Sequence, residues 1–379
     1  MLRSIVGTLI ALSLAASASA LDHVTFTRDG RQLKIDGRVL VEARDGGLLF
    51  EARDGVLWAV TPDELIEHTR DKQPFEPYPP QEFQHRLLAE LPRGFNVHTT
   101  AHYTIFYNTS KTYAGWCGSL FERLYMAFTN YFERKGFDIE DPEFPLVAVV
   151  FADRASYAEH SQPVLGEAAA SVIGYFNLRD NRMTMYDLTG VDAAARRFGG
   201  INSVLKINRY ILAQPEAVRQ VSTVVHEATH QIAFNCGMHQ RYSDAPVWLS
   251  EGIAMYFETP DLGSSRGWRG IGQVNRPRLR QFRKYTGSRP ADSLKTLIES
   301  DARFRDTSTA PDAYAEAWAL TYYLIRQESA KFVTYLKGMA DKGPLLEDEP
   351  EERLREFEDV FGSWSKVDDD MTQYILDLR

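Results

Sequence analysis

The run from Val218 to Asn235 constrains this chain more than any other segment. Val218, Val221, Val225, Ala228 and Ile232 keep a helical spacing, and Gly237 stands where a C-terminal cap falls. On such a helix His226 and His230 are four positions apart, so both imidazoles leave one face and can reach a single ion. Glu227 points roughly 100° round from His226, towards a water on that ion rather than the ion itself. His226-Glu227-Ala228-Thr229-His230 therefore has the spacing of two zinc ligands and a general base.

A catalytic zinc needs a third protein ligand and one open position. The segment Trp248 to Glu258 supplies the candidate, between Pro246, placed to open a helix, and Pro260, placed to stop it. Glu251 stands there among Trp, Leu, Ile, Ala and Met, where a carboxylate is costly to bury unless a cation holds it. Glu258, seven residues on and on the same face, is placed to accept the free ring N–H of a ligating histidine.

The rest of the chain reads as ordinary globular protein. Of 379 residues, 44% are hydrophobic and 25% charged, which excludes collagen-like, low-complexity and wholly disordered folds. Residues 1–20 read as a signal peptide: Arg3, then the apolar run Ile5 to Ala16, then Ala18-Ser19-Ala20 with cleavage after Ala20. That predicts an exported protein, periplasmic or secreted, whose mature chain does not span a membrane. Export leaves two states open for Cys117 and Cys236, a disulfide or two buried thiols. The formal charge of −9 gives no basic excess for a phosphate backbone, so nucleic acid is not an expected partner.

Residues 21–73 carry Asp-Gly at 29–30, 36–37, 45–46 and 54–55 between short β-type runs, the pattern of a small SH3-like β-meander or barrel. Glu42-Ala43-Arg44-Asp45-Gly46 is echoed by Glu51-Ala52-Arg53-Asp54-Gly55. The module is read as a structural cap or a docking element. Pro74, Pro77, Pro79 and Pro80 mark residues 74–96 as a linker. From residue 97 strands and helices alternate: strand His102 to Asn108, helix Tyr113 to Lys135, buried strand Leu146 to Phe151, and a hairpin of Gly174–Asn177 with Met183–Asp187. From Glu216 the chain reads as mostly helical, interrupted by the Gly- and Arg-rich stretch 263–280. The expected class is α+β, with a sheet lobe over about 97–235 and a helical lobe over about 236–379.

These motifs also carry a resemblance. His226 to His230 followed by Trp248 to Glu258 resembles the gluzincin, thermolysin-type class of metallopeptidases. From about Val97 to the C-terminus the chain is similar to a domain-of-unknown-function family of exported bacterial proteins grouped with the peptidase MA-like zincins. Gly174-Tyr175-Phe176, Arg182 to Tyr186 and Tyr314 to Leu320 belong to that similarity. The resemblance implies a zincin-like fold, with a twisted mixed sheet over the active-site helix and then a helical lower lobe. It implies one zinc at His226, His230 and Glu251, with Glu227 as base. Met255 stands where thermolysin-like enzymes carry an acid four residues after the glutamate ligand, a departure that Glu258 is placed to offset.

The expected activity is peptide hydrolysis, zinc acidifying water and Glu227 taking the proton. Tyr314, read as lying just ahead of a helix Trp318 to Ile325, is the first choice for stabilising the oxyanion; Tyr242 and His239 are rivals. The expected partner is a peptide or protein substrate. The alternatives are a zinc hydrolase of a non-peptide ester or amide, and a non-catalytic binding protein on the same fold. His98, His102 and His160 read as ordinary histidines. Arg266, Arg269, Arg276, Arg278 and Arg280 read as a solvated loop or as the lining of a cleft for an acidic substrate.

Overall fold

A computed structural model describes residues 20–188, 203, 206–208, 211, 215–259 and 269–379, with residues 215–218 known by their backbone. Residues 1–19 of the expected signal peptide lie outside the described residues, as do Pro260 and Arg266. The chain is α+β and divides into two compact units, up to Tyr78 and from Pro79 onward.

The first unit is a five-stranded antiparallel sheet in the order β4-β3-β2-β1-β5. Its strands are β1 (Ala20–Arg28), β2 (Arg31–Glu42), β3 (Leu48–Ala52), β4 (Leu57–Val60) and β5 (Leu65–Pro74). Asp29 and Gly30 both take positive φ and make the two-residue turn that their sequence predicts. The internal echo is one turn used twice. Gly46 N–H donates to the Ala43 carbonyl and Gly55 N–H to that of Ala52, both at 2.9 Å. Asp36-Gly37 is different: it lies inside β2 and is not a turn. A Cβ on Gly37 would stand 2.1 Å from the Glu51 carbonyl oxygen and 2.6 Å from the Phe50 ring. The glycine is there for the close approach of β3, not for chain reversal.

The second unit holds a mixed sheet in the order β6-β7-β8-β10-β9. Its strands are β6 (Asn96–Thr99), β7 (Tyr103–Tyr107), β8 (Leu146–Phe151), β9 (Gly174–Asn177) and β10 (Arg182–Tyr186). β7, β8 and β10 run parallel, and the two edge strands run against them. Every residue of β7 and β8 is buried, as expected for central parallel strands.

The stretch 74–96 is not the plain linker expected from its prolines. Helix α1 (Pro80–Glu90) lies within it, Pro80 opening the helix, and Phe83 and Leu87 are buried. Phe83 meets Phe106 of β7 edge-on at 6.3 Å, so the helix belongs to the second unit. Helix α2 (Lys111–Glu133), capped by the Ser110 side chain, buries an aromatic face that includes Trp116, Phe121, Phe128 and Phe132. Helix α3 (Arg154–Leu165), with Asp153 as its cap, follows β8.

The remaining α-helices among the described residues are α4 (Pro215–Ala233), α5 (Val247–Phe257), α6 (Arg276–Tyr285), α7 (Ser293–Glu299), α8 (Ala302–Arg305), α9 (Ala310–Gln327), α10 (Ser329–Ala340), α11 (Pro350–Phe361) and α12 (Trp364–Leu376). One core runs through the sheet, α2, α4, α5 and the C-terminal helices. Cys117 and Cys236 are both free thiols buried in it, which closes the question left open by the sequence.

Candidate metal centre

Helix α4 carries the motif, and its apolar stripe explains how it is held. Val221, Val225, Ala228 and Ile232 are each buried with zero exposure. Gln231 ties the same helix to the sheet, its amide N–H donating to the carbonyls of Val147 at 2.9 Å and Asn181 at 3.0 Å. Asn181 and Asn235 exchange reciprocal amide hydrogen bonds at 2.7 Å. These contacts lock α4 beside the β9–β10 hairpin, so a backbone N–H of edge strand β9 reaches the motif. Phe176 N–H donates to Glu227 Oε2 at 2.9 Å.

Helix α5 brings the carboxylates. Pro246 precedes it and offers no side-chain cap. Asp301 takes that role, its Oδ1 accepting from Val247 N–H at 3.0 Å. Arg353 bridges Asp301 to Asp244, in the loop ahead of α5. The fully buried face of α5 packs on α9 through Gly252, where a Cβ would stand 1.9 Å from Thr321 Oγ1 and 2.9 Å from the Ala317 carbonyl.

These restraints bring His226, His230 and Glu251 together. His226 Nε2 lies 3.1 Å from His230 Nε2 and 3.0 Å from Glu251 Oε2, and His230 Nε2 lies 3.5 Å from Glu251 Oε1. Donor atoms about 2.0–2.1 Å from a tetrahedral zinc stand about 3.3 Å apart, so this donor set and its spacing fit the ion. Glu258 Oε2 accepts from the other nitrogen of His226, Nδ1, at 2.9 Å. Asn275 Nδ2 donates to the second oxygen of Glu258. Nothing in the sequence marks Asn275 for this role. Its only local signal was that of an N-cap, an Asn two residues ahead of Pro277.

The electrostatics of the site favour positive charge. Burial works to lower the His226 imidazole, but hydrogen bonds to Glu251 and Glu258 carry it well above its ordinary value. Burial works to raise Glu251, yet His230 and His226 hold that carboxyl far below the usual range. For Glu227 burial prevails and raises the carboxyl, against the pull of His226, His230 and the Phe176 N–H.

His226, Glu227, Glu251 and Glu258 line a cavity of about 710 Å³ together with Tyr314, Arg219, Arg276 and Arg278. Tyr314 lies inside α9 rather than ahead of it, because Pro311 starts the helix earlier than expected. Its ring is held between Arg278, whose guanidinium carbon is 5.2 Å from the ring centroid, and Phe304, edge-on at 5.2 Å. Burial, then Glu251, push its hydroxyl up to about 12, so it stays a proton donor at neutral pH.

The rivals do not line this cavity. His239 is 2% exposed, and burial pushes it down to about 3. Tyr242 lies near Arg179, Arg241 and Asp180. His102 pairs with Glu122 at 2.7 Å and stacks on Tyr125, and His160 packs on Phe151; neither is a cavity residue, nor is His98. Of the arginine-rich stretch, the exposed Arg276 and the half-buried Arg278 line the cavity, while Arg269 and Arg280, both exposed, lie outside its lining. A second acidic group, Asp348, Glu352 and Glu356, also has metal-ligand spacing. The Lys342 ammonium already pairs with Asp348 and Glu356 there.

Among the described residues no helix is long and apolar enough to cross a membrane. No curated protein matches the chain. Residues 220–346, which contain the histidine pair, Glu251, Glu258, Asn275, Arg278 and Tyr314, match the family described as Protein of unknown function (DUF1570).

Proposed function

We propose that this protein is an exported zinc-dependent metallopeptidase of the gluzincin type, with a zincin-like second unit and an SH3-like first unit. The observation that supports this most is the convergence of two imidazole nitrogens and one carboxylate on a single point, with the half-buried Glu227 lining the same cavity. His226, His230 and Glu251 would hold the ion, with Glu258 orienting the His226 ring through Nδ1. Bound zinc supplies Lewis-acid chemistry, polarising a carbonyl and making water acidic near neutral pH.

The protein's own groups do the rest. Glu227 accepts the proton of the attacking water and returns it to the leaving nitrogen. Its raised carboxyl is better matched to that exchange than an exposed glutamate. The Tyr314 hydroxyl donates to the developing oxyanion. A peptide is favoured over other substrates by β9, an edge strand of the sheet whose Phe176 N–H already touches Glu227. An extended chain can add to such an edge through its backbone beside the base.

The test is Glu227→Gln. The wild type should carry one zinc per chain and cut members of a peptide panel. The Gln variant should keep its zinc and its thermal unfolding while turnover falls by about 10²-fold or more. Wild-type turnover in the variant rejects the mechanism. A zinc-loaded wild type that cuts esters but no peptide, or cuts nothing, moves the assignment to the other hydrolase or to the binding protein.

A further inference from the structure

The cavity in front of the triad is lined by two chemically different sets of charges. Glu227, Glu251 and Glu258 are all engaged, by the Phe176 N–H, the two histidines, and His226 with Asn275 respectively. Arg276 and Arg278 are not. Both line the cavity, and neither guanidinium has a hydrogen bond or ion pair among the described residues. Arg278 is nevertheless held in place by the face of Tyr314, the residue proposed to meet the oxyanion.

Their position in the helix makes the choice of residue informative. Arg276 and Arg278 occupy the first turn of α6, which contains no acidic residue. That end of a helix is the positive pole of the macrodipole, where cations are destabilising. The start is otherwise well formed, with Asn275 accepting from Arg278 N–H at 3.2 Å and Pro277 in the first turn. Only the charges run against local stability, and such conflicts collect at functional sites. An anion in the cavity would resolve this one, meeting two guanidinium forks whose geometry matches a carboxylate.

We propose that Arg276 and Arg278 form a carboxylate-binding subsite that selects peptides carrying negative charge beside the cleaved bond; this rests on the metallopeptidase reading above. An acidic side chain and a free C-terminus offer the same chemistry.

The experiment uses zinc-loaded Glu227→Gln protein and calorimetric titration with four forms of one peptide, Glu or Gln at its centre and a free or amidated C-terminus. At least one charged form should bind about tenfold tighter than the peptide with neither charge. A gain from the central Glu assigns the subsite to a side chain, and a gain from the free terminus assigns it to the C-terminal carboxylate. The preference should vanish when Arg276→Met and Arg278→Met are added. Equal affinity for all four forms overturns the proposal without need of the arginine variants, as does a preference that persists in them. Wild-type protein is then given the same peptides. Charge-dependent binding without cleavage counts against the peptidase and leaves the subsite standing. Cleavage without charge preference removes the subsite and leaves the peptidase.

Discussion

Glu258 Oε2 lies 2.9 Å from Nδ1 of His226, thirty-two positions earlier in the chain, and thereby directs Nε2 of the same ring at Glu251 and His230. The carboxylate stands at the C-terminal cap of α5, seven residues beyond the proposed ligand Glu251. This places a proposed ligand and the group that would orient another on one short helix.

Under the zinc reading, Glu258→Ala should weaken zinc binding by about 10–100-fold, the usual cost of losing such a partner. Asn275→Ala should weaken it less, because Asn275 acts on the metal only through Glu258. Competition with a chelator of known affinity measures both. Unchanged zinc affinity in Glu258→Ala would mean that the His226 ring is held by other contacts.

Gly252→Ala should destabilise the second unit by about 1–3 kcal/mol, because the new methyl group meets Thr321 Oγ1 and the Ala317 carbonyl across the α5–α9 contact. Gly115 in α2 is the control. Nothing lies within 4 Å of a Cβ there, so Gly115→Ala should gain the ordinary helical advantage of about 0.5–1 kcal/mol. Denaturant unfolding of the two variants should shift in opposite directions.

Acid should loosen the anchor of α5. Burial works to raise the Asp244 carboxyl, but Arg353 and the Asp348 N–H hold it below its ordinary value of 3.8. The unfolded chain therefore takes up the proton more readily than the folded one. The contribution is complete above the unfolded value and is lost as pH falls through the lower, folded one. Asp244→Asn should be less stable at neutral pH and should lose less stability than the wild type as pH drops below 3.8. Urea midpoints across that range, for both proteins, check the sign.

Cys117 and Cys236 should be inert in the folded protein. Both are fully buried, and burial raises both thiols, Cys236 to about 12. A thiol reagent should titrate none in native protein and two after unfolding, without a reductant. Two reactive thiols appearing only after reduction would instead indicate a disulfide.

What could be read from the chain itself was set by local geometry. Helical periodicity alone puts His226 and His230 on one face, and a lone glutamate in the apolar run of α5 is conspicuous at Glu251, with Glu258 two turns further on. The strands β7, β8, β9 and β10 were legible for the same reason, as runs whose apolar pattern needs no distant partner. Asp36-Gly37 carries an identical local signal to Asp29-Gly30, but the approach of β3 decides that one is extended and the other a turn. Asn275, Arg276 and Arg278 carry no signal that joins them to His226. They reach the cavity because Asn275 bonds to Glu258 and Arg278 stacks on Tyr314 of α9. The Phe176 N–H reaches Glu227 only because Gln231, Asn235 and Asn181 hold α4 against the β9–β10 hairpin. Spacing along one helix specifies which groups share a face, whereas meetings between separate elements depend on how their buried surfaces pack, and that is settled only when the whole core closes.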